Sequence, residues 1–260
     1  MRFLPVIVAL LCSHTAEAAT LRVGPNKEYP VPSAAAKAAQ DGDTIQIDPG
    51  EYYDCVVWQR SRLTIEGTAL GAIITDVTCM GKAIFVIAGN DTVVRDLTLA
   101  RARVPDGNGA GIRLEGQGLT LERVKFDNDQ VGLLSGASGP GAIDIRDCTF
   151  VSGGAGGERP NHAVWVGGVA ALTVRASRFS GFRGGQIVSD AITTEIVGND
   201  IAWGRPPDPA AAIWVRGGRS TIADNRFTAG PAHPARSTAI LSTVKGPNEV
   251  RGNVLPNNTD

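Results

Sequence analysis

Seven copies of a six-residue pattern run through the chain and constrain its fold more than any other feature. Their starts lie 22 to 29 residues apart, and a short apolar segment precedes each copy, so a helix does not fit between them. A unit of two or three short strands that recurs at this interval is one coil of a solenoid with parallel sheets. The copies are Val94–Leu99, Leu121–Phe126, Ile145–Phe150, Val174–Phe179, Ile196–Ile201, Ile222–Phe227 and Val250–Leu255.

Strand alternation predicts which side chains of each copy are internal. The first and sixth residues are apolar and are expected to face a common interior, whereas the second and fifth are often charged and face solvent. Stacked coils place the sixth residues in one internal column, which Ile201 interrupts. The aromatic members of this column are Phe126, Phe150, Phe179 and Phe227.

The fourth residue of each copy lies at a bend between two strands. In the last three copies it is asparagine, which tolerates left-handed backbone conformations and can bond both to the turn and to the asparagine of the next coil. The sequence therefore predicts an asparagine ladder of Asn199, Asn225 and Asn253. The ladder is expected to be partial, because the earlier copies have Leu97, Val124, Cys148 and Ser177 at this position.

The N-terminus has the features of a signal peptide. Arg2 precedes the apolar segment Phe3–Leu11, and Ala16–Ala18 has the small-x-small form of a cleavage site. We therefore expect residues 1–18 to be a signal peptide and the protein to be secreted or periplasmic. Cys12 raises a lipoprotein alternative, but the two leucines before it fit a lipidation motif poorly.

The segment after the signal peptide differs from the repeats. Leu21–Gly24 has the pattern of a short strand, Pro32–Gln40 is rich in helix formers, and Asp41–Ile47 turns back into a strand. A solenoid has open ends that must be covered. Residues 19–53 are therefore predicted to form an N-terminal cap, with a short helix and the opening coil, and residues 54–260 the parallel β-helix.

Three cysteines remain in the mature chain. Cys55 and Cys79 are 24 residues apart, which is one coil, so they can lie on adjacent coils within bridging distance. Cys148 occupies the bend position and is expected to be a buried, reduced thiol. The spacings match no zinc motif, and we expect no metal and no cofactor.

Composition limits the partners of the protein. The formal net charge is -1, and a nearly neutral chain is a poor match for nucleic acid. No segment after the signal peptide is long and apolar enough to span a bilayer. A single solenoid domain accounts for the mature chain, and we expect it to be a monomer.

Residues 23–57, followed by residues 63–67, resemble the opening of secreted right-handed parallel β-helix proteins of the pectin-lyase-like superfamily. The shared features are a strand with a glycine, an alanine-rich helix before Asp41–Asp43, and a Pro-Gly-x-Tyr turn at Pro49–Tyr52. The later copies are similar to the coils of that superfamily, so the resemblance covers nearly the whole mature chain. It implies an all-β, right-handed parallel β-helix with a short N-terminal capping helix. The superfamily includes lyases, hydrolases, esterases, epimerases and domains that only bind.

Two later segments resemble a bacterial branch of the same superfamily. They are Asn161–Gly181 and Gly184–Ala191, and in that branch the second segment commonly carries His, Lys and Arg. This chain has Gly185, Val188 and Asp190 at those places, so the resemblance does not extend to an activity that depends on the three basic side chains.

In that superfamily the ligand groove usually runs along one sheet, so the outward residues of that sheet are the candidate site. If the strand before each glycine-rich turn belongs to it, alternation makes the outward residues Phe85, Arg113, Gly132 or Leu134, Trp165, Val188, Trp214 and Leu241. This set lacks the close carboxylates of a polygalacturonase-like hydrolase and the paired aspartates of a pectin methylesterase. It also lacks the carboxylate cluster of a calcium-dependent lyase.

Trp165 and Trp214 are the candidate glycan platform. They are predicted to lie two coils apart, roughly 10 Å at the usual strand spacing, and flat indoles suit the apolar faces of sugar rings. The alternative is that the loops before these strands cover both indoles. The candidate partners of uronate carboxylates are the loop residues Arg101, Arg103, Arg159 and Arg205.

Two classes of function remain open. In the first, a lyase or epimerase acts on an acidic polysaccharide, with Arg113 or His162 removing the proton next to the uronate and an arginine neutralising its carboxylate. A structural role, in which the side chain bonds to loop backbone, is the alternative for His162. The second class is a non-catalytic glycan-binding or cell-surface β-helix. The carboxylates missing from the predicted face favour the second class, and the usual activities of the fold favour the first.

Overall fold

The computed structural model describes residues 17–69, 71–136, 139–153, 161–203, 211–229 and 238–255. These residues form an all-β, right-handed parallel β-helix with one short helix, α1 (Pro32–Ala38), as the sequence predicted. Most of the expected signal peptide lies outside the described residues. No helix within the described ranges has the length and hydropathy required to cross a membrane.

Twenty-six short strands follow one another along the chain. They are β1 (Thr20–Val23), β2 (Thr44–Ile47), β3 (Gly50–Tyr53), β4 (Val56–Trp58), β5 (Thr64–Gly67), β6 (Ala72–Thr75), β7 (Ala83–Ile87), β8 (Thr92–Arg95), β9 (Thr98–Ala100), β10 (Ala110–Leu114), β11 (Leu119–Glu122), β12 (Lys125–Asp127), β13 (Val131–Ser135), β14 (Gly139–Arg146), β15 (Thr149–Val151), β16 (Val164–Val166), β17 (Val169–Arg175), β18 (Arg178–Ser180), β19 (Ile187–Ser189), β20 (Thr193–Val197), β21 (Asp200–Trp203), β22 (Ala211–Val215), β23 (Arg219–Ala223), β24 (Arg226–Ala229), β25 (Thr238–Ser242) and β26 (Asn248–Arg251).

The strands pair in parallel and form three sheets along the solenoid. Sheet 1 has ten strands in the order β1-β2-β5-β8-β11-β14-β17-β20-β23-β26. Sheet 2 has eight, β3-β6-β9-β12-β15-β18-β21-β24, and sheet 3 has eight, β4-β7-β10-β13-β16-β19-β22-β25. Each coil contributes one strand to each sheet in turn, which gives eight complete coils from β2 to β25.

The interior is a continuous apolar core, and the predicted aromatic column runs through it. Phe126, Phe150 and Phe179 occupy paired positions on adjacent sheet 2 strands, followed by Ile201 and Phe227. The ring centroids of Phe126 and Phe150 are 4.5 Å apart, and those of Phe150 and Phe179 are 4.9 Å apart. All five side chains are at most 2% exposed, so stacking of like residues keeps the coils in register.

The predicted asparagine ladder is confirmed at the corner between sheets 1 and 2. The side-chain amide of Asn199 donates to Oδ1 of Asn225 at 2.9 Å, and that of Asn225 donates to Oδ1 of Asn253 at 2.9 Å. Oδ1 of Asn199 in turn accepts the backbone N–H of Ser177, whose hydroxyl accepts the backbone N–H of Cys148. The ladder therefore extends one coil further through a serine.

One detail of the bend differs from the prediction. The left-handed residue of each bend is the one before the ladder position, with φ of 58° at Asp96, 50° at Ala176 and 56° at Asp224. The ladder asparagines are not among the residues with positive φ. Their amides are therefore selected by hydrogen bonding, and backbone strain falls on the preceding residue.

The N-terminal end of the solenoid is covered by α1, which packs against β1, β2 and β4 and buries Pro32 and Ala35. The predicted disulfide is confirmed: Cys55 and Cys79 are bonded, with a Cα–Cα distance of 5.4 Å. Cys148 is free and buried, and burial raises the pKa of its thiol to about 12. It is therefore a packed, unreactive thiol, as predicted.

The outer face of sheet 1 carries ion pairs between adjacent coils. Arg175 donates to a carboxylate oxygen of Glu195 at 2.8 Å, and Arg146 pairs in the same way with Glu122. These pairs lie largely in solvent and each contributes little to stability. Both arginines nevertheless already have a carboxylate partner.

Candidate functional site

The candidate site lies on the outer face of sheet 3, where one outward residue of each strand forms a column. Strand register aligns Arg113 with Leu134 and Trp165, and Trp165 with Val188 and Trp214. The sequence assigned these positions correctly but left Gly132 and Leu134 as alternatives, and the register selects Leu134. It was wrong for the first member. Ile84 and Phe85 both turn into the core, where Phe85 packs on Trp58, so Val86 is the outward residue.

Trp165 is the most accessible aromatic residue of this column. Its side chain is 39% exposed, while its neighbour Val188 is only 3% exposed. The indole of Trp165 is therefore partly open to solvent. A half-exposed indole above a closed apolar floor offers a flat face to a ligand.

His162 borders Trp165 at the start of the same strand. The two ring centroids are 5.3 Å apart in an edge-on arrangement, and Nδ1 of the imidazole is buried without a hydrogen-bond partner. Burial lowers the pKa of His162 from 6.5 to about 4, opposed by the backbone of Gly185 and assisted by the charge of Arg216. The imidazole is therefore neutral at physiological pH.

Trp214 is held differently from Trp165. The guanidinium of Arg216 lies over its ring at 4.6 Å from the centroid, a cation–π contact. Arg216 also forms a two-bond pair with Asp190, at 2.8 Å from Nε and 2.7 Å from Nη2. Arg216 thus covers one face of Trp214, which leaves Trp165 as the open platform. Nε1 of Trp214 is buried and has no partner.

Arg113 is half-buried in the middle of the column, and its side chain reaches towards Gly136 on the next coil. Its Nε is buried without a hydrogen-bond partner, and no carboxylate among the described residues pairs with the guanidinium. Glu115, which follows the last residue of β10, is instead paired with Lys82. The buried Nε lacks a partner and no carboxylate neutralises the guanidinium, so this position suits an anion.

Of the four loop arginines, the two within the described residues, Arg101 and Arg103, have partners in the protein. Arg101 binds Asp76 and Glu51, so two carboxylates on the sheet 2 side already neutralise it. Arg103 donates to the backbone carbonyls of Ala102 and Asn128. Arg159 and Arg205 lie outside the described residues.

The charged pair Asp190–Arg216 was missed by sequence reasoning. The two residues are 26 positions apart, one coil, and Arg216 stands two residues after Trp214 on the same face of the strand. The spacing and alternation were both available in the sequence and would have indicated the pair. Within the described ranges, no group of three or more His, Cys, Asp or Glu side chains converges in a way that could hold a metal ion.

Two solved structures have a similar fold. One is a pectin methylesterase variant in complex with a hexasaccharide, with a TM-score of 0.51 and 14% identity, covering 86% of this chain and 70% of the other. The second is a PL6 family alginate lyase variant, with a TM-score of 0.55 and 14% identity, covering 90% of this chain and 40% of the lyase. The sequence matches no protein-family model and no curated protein. These likenesses confirm the parallel β-helix fold that the sequence predicted.

Proposed function

We propose that this protein is an exported β-helix that binds an acidic polysaccharide on the outer face of sheet 3. The observation that carries the proposal is an exposed indole next to buried polar atoms without partners. These features lie in one strip of the sheet 3 face, formed by Arg113, His162, Trp165 and Trp214. Trp165 is open to solvent, and Arg113, His162 and Trp214 each have a buried nitrogen without a partner. Buried polar atoms in native proteins are usually paired with protein groups, ordered water or a ligand, and we propose that a ligand completes the atoms of this face.

The chemistry of the strip suits an anionic sugar chain. The face of Trp165 stacks on the apolar C–H face of a sugar ring, while the terminal N–H groups of Arg113 bind its oxygens. Arg113 and Trp165 are two coils apart, roughly 10 Å, so a ligand that contacts both must be longer than one ring. Arg113 takes a uronate carboxylate, and the loop residues Arg101, Arg103, Arg159 and Arg205 stay secondary candidates for the same role.

Three other observations support the proposal. The two similar solved structures are a pectin methylesterase with a hexasaccharide and an alginate lyase. A disulfide between adjacent coils fits an oxidising compartment, so we place the protein outside the cytoplasm, secreted or periplasmic. The same assignment keeps residues 1–18 as the signal peptide, residues 19–53 as the cap and residues 54–260 as the β-helix, acting as a monomer.

A second candidate, β-elimination or epimerisation of the same glycan, is favoured by the state of His162. A neutral imidazole can accept the proton next to the uronate, whereas the guanidinium of Arg113 stays protonated in proteins and serves better as the partner of the carboxylate. In elimination, loss of that proton would break the C4–O bond and form a C4–C5 double bond, and the leaving oxygen would take up a proton. With a pKa of about 4, however, His162 is a weak base.

The proposal is tested by titrating the protein with a panel of acidic and neutral polysaccharides. Trp165→Ala should weaken binding of acidic chains by about tenfold or more, because the stacking contact is lost. The matched control is Tyr53→Ala, which removes an aromatic side chain that is 66% exposed on sheet 2. The control should leave binding unchanged.

Equal effects of the two substitutions, or no binding by the wild type, would overturn the proposal. Product formation is followed in the same samples by the ultraviolet absorbance of unsaturated uronates and by the sugar composition after incubation. Product that is lost in His162→Gln while binding is kept would establish catalysis. Product that is unchanged in that variant would remove His162 as the base.

A further inference from the structure

A concave site lies at the opposite end of sheet 3 from Trp214, where the cap meets the first coil. It is a cleft of about 450 Å³ between α1 and β4, within the size range of small-molecule sites. Its walls are Ser33, Ala36, Lys37, Cys55, Val56, Val57, Gln59 and Arg60. The walls thus combine apolar side chains with two basic ones.

The charge of this cleft is unbalanced. Lys37 and Arg60 are its only charged wall residues, and neither forms an ion pair with a described residue. Arg62, two positions further along the chain, is by contrast paired with Asp41 at 3.4 Å. The cleft therefore has a local excess of positive charge in a protein whose overall charge is -1.

Hydrogen bonds fix the walls in place. Nε of Arg60 donates to the carbonyl of Ala39 at 3.1 Å, which holds the guanidinium at the end of α1 and leaves its terminal nitrogens available. The nearby carboxylate of Asp54 accepts the backbone N–H of Ser33 at 2.7 Å and that of Cys55 at 2.9 Å. Asp54 thus joins the two walls and is not paired with either cation.

The cleft is separate from the Trp165 strip. Val57 begins the outward column of sheet 3, but the next member, Val86, is fully buried. Val57 and Cys79 pack on a small apolar cluster around Val86, so this cluster and the Cys55–Cys79 disulfide stand between the two sites. A ligand in the cleft would not reach Arg113 along the surface of the sheet.

From these features we infer that the cleft binds a small organic anion, with its carboxylate or sulfate group between Lys37 and Arg60 and its apolar body against Ala36 and Val57. An exposed arginine and lysine bind such groups by charge-assisted hydrogen bonds, which weaken as salt rises. The apolar wall supplies contact area that an inorganic anion cannot use. The site is independent of polysaccharide binding on the Trp165 strip.

The inference is tested by nuclear magnetic resonance titration of the mature protein with cyclohexanecarboxylate. Backbone amide shifts should move in residues 33–37 and 55–60, with saturation at millimolar concentration and weaker binding at high salt. Cyclohexanemethanol, which has the same ring without the charge, should cause about tenfold weaker shifts or none. Inorganic sulfate should bind more weakly than the carboxylate, because it lacks the apolar body.

Lys37→Gln and Arg60→Gln should each weaken binding of the carboxylate by about tenfold. Arg62→Gln, at a neighbouring arginine outside the cleft, and Trp165→Ala, on the other site, should leave it unchanged. The inference is overturned if the neutral alcohol binds as well as the carboxylate, if Arg62→Gln acts like Arg60→Gln, or if no amides of the cleft respond. None of these outcomes depends on whether the protein binds polysaccharide.

Discussion

Two groups of buried polar side chains in this solenoid differ in how their hydrogen bonds are completed. At the corner between sheets 1 and 2, the ladder residues Asn199, Asn225 and Asn253 bond to one another and to the backbone of the preceding coil. On the outer face of sheet 3, Nε of Arg113 and Nδ1 of His162 are buried and have no hydrogen-bond partner.

The two groups therefore differ in whether their buried polar atoms have partners within the protein. A buried polar atom with a partner contributes to stability, whereas one without a partner lowers it by the cost of desolvation. The ladder is therefore expected to be essential for the fold and indifferent to ligands. The sheet 3 strip is expected to behave in the opposite way if, as we propose, its side chains bind a ligand.

The largest effect is expected when Asn225 of the asparagine ladder is replaced by alanine. Its amide donates to Ile196 and Asn253 and accepts from Asn199, so several buried groups lose their partner at once. Asn225→Ala should lower the free energy of unfolding by about 3 kcal/mol, measured by denaturant titration. Asn90→Ala, at an exposed turn, should cost clearly less, and equal losses would contradict a stabilising ladder.

The sheet 3 strip can be tested through the pH dependence of stability, because burial of His162 couples its protonation to folding. The folded pKa is about 4 and the unfolded pKa 6.5, so in this window the unfolded chain binds the proton and the folded chain does not. Above pH 6.5 His162 is neutral in both states and does not alter the free energy of unfolding. As pH falls from 6.5 towards 4, protonation of the unfolded chain lowers the free energy of unfolding by on the order of 2 to 3 kcal/mol. His162→Leu should flatten this part of the pH–stability curve, and an unchanged slope would show that His162 is not the cause.

The smallest expected effect is that of Arg113→Met, which should stabilise the protein and not destabilise it. Arg113→Met keeps the apolar stem of the side chain but removes its unmatched cation. The free energy of unfolding should rise by about 1 kcal/mol while binding of acidic glycans falls. Thermal melting and glycan titration of the same samples measure both. A loss of stability would mean that the guanidinium already has a stabilising role in the free protein.

The fold was largely predictable because equivalent positions of successive coils recur at nearly constant intervals in the sequence. The copies beginning at Val94, Leu121, Ile145 and Val174 fall on four successive sheet 1 strands, and the phenylalanine column and the disulfide followed from coil spacing alone. Each of these depends only on contacts between neighbouring coils, which recur at nearly constant sequence separation.

The site was less predictable because it depends on local departures from that regularity. Strand β7 turns both Ile84 and Phe85 inward, and simple alternation therefore misplaced Phe85. Exposure of Trp165 depends on loop conformation, which periodicity does not encode. The cation–π contact of Arg216 with Trp214 needed two facts together, the coil spacing and the direction of the side chain.

The corners of the coil differ in how much their length varies. Between sheets 1 and 2, the six corners from β8–β9 to β23–β24 each have two residues, one left-handed and one in the ladder position or its equivalent. Between sheets 2 and 3, the connection is three residues long at 128–130 and nine at 101–109, yet the adjacent strands remain in register. Insertions at this second corner are therefore absorbed without disturbing the stack. Because it opens directly beside sheet 3, new loops grafted there would alter what the protein recognises and leave the scaffold intact.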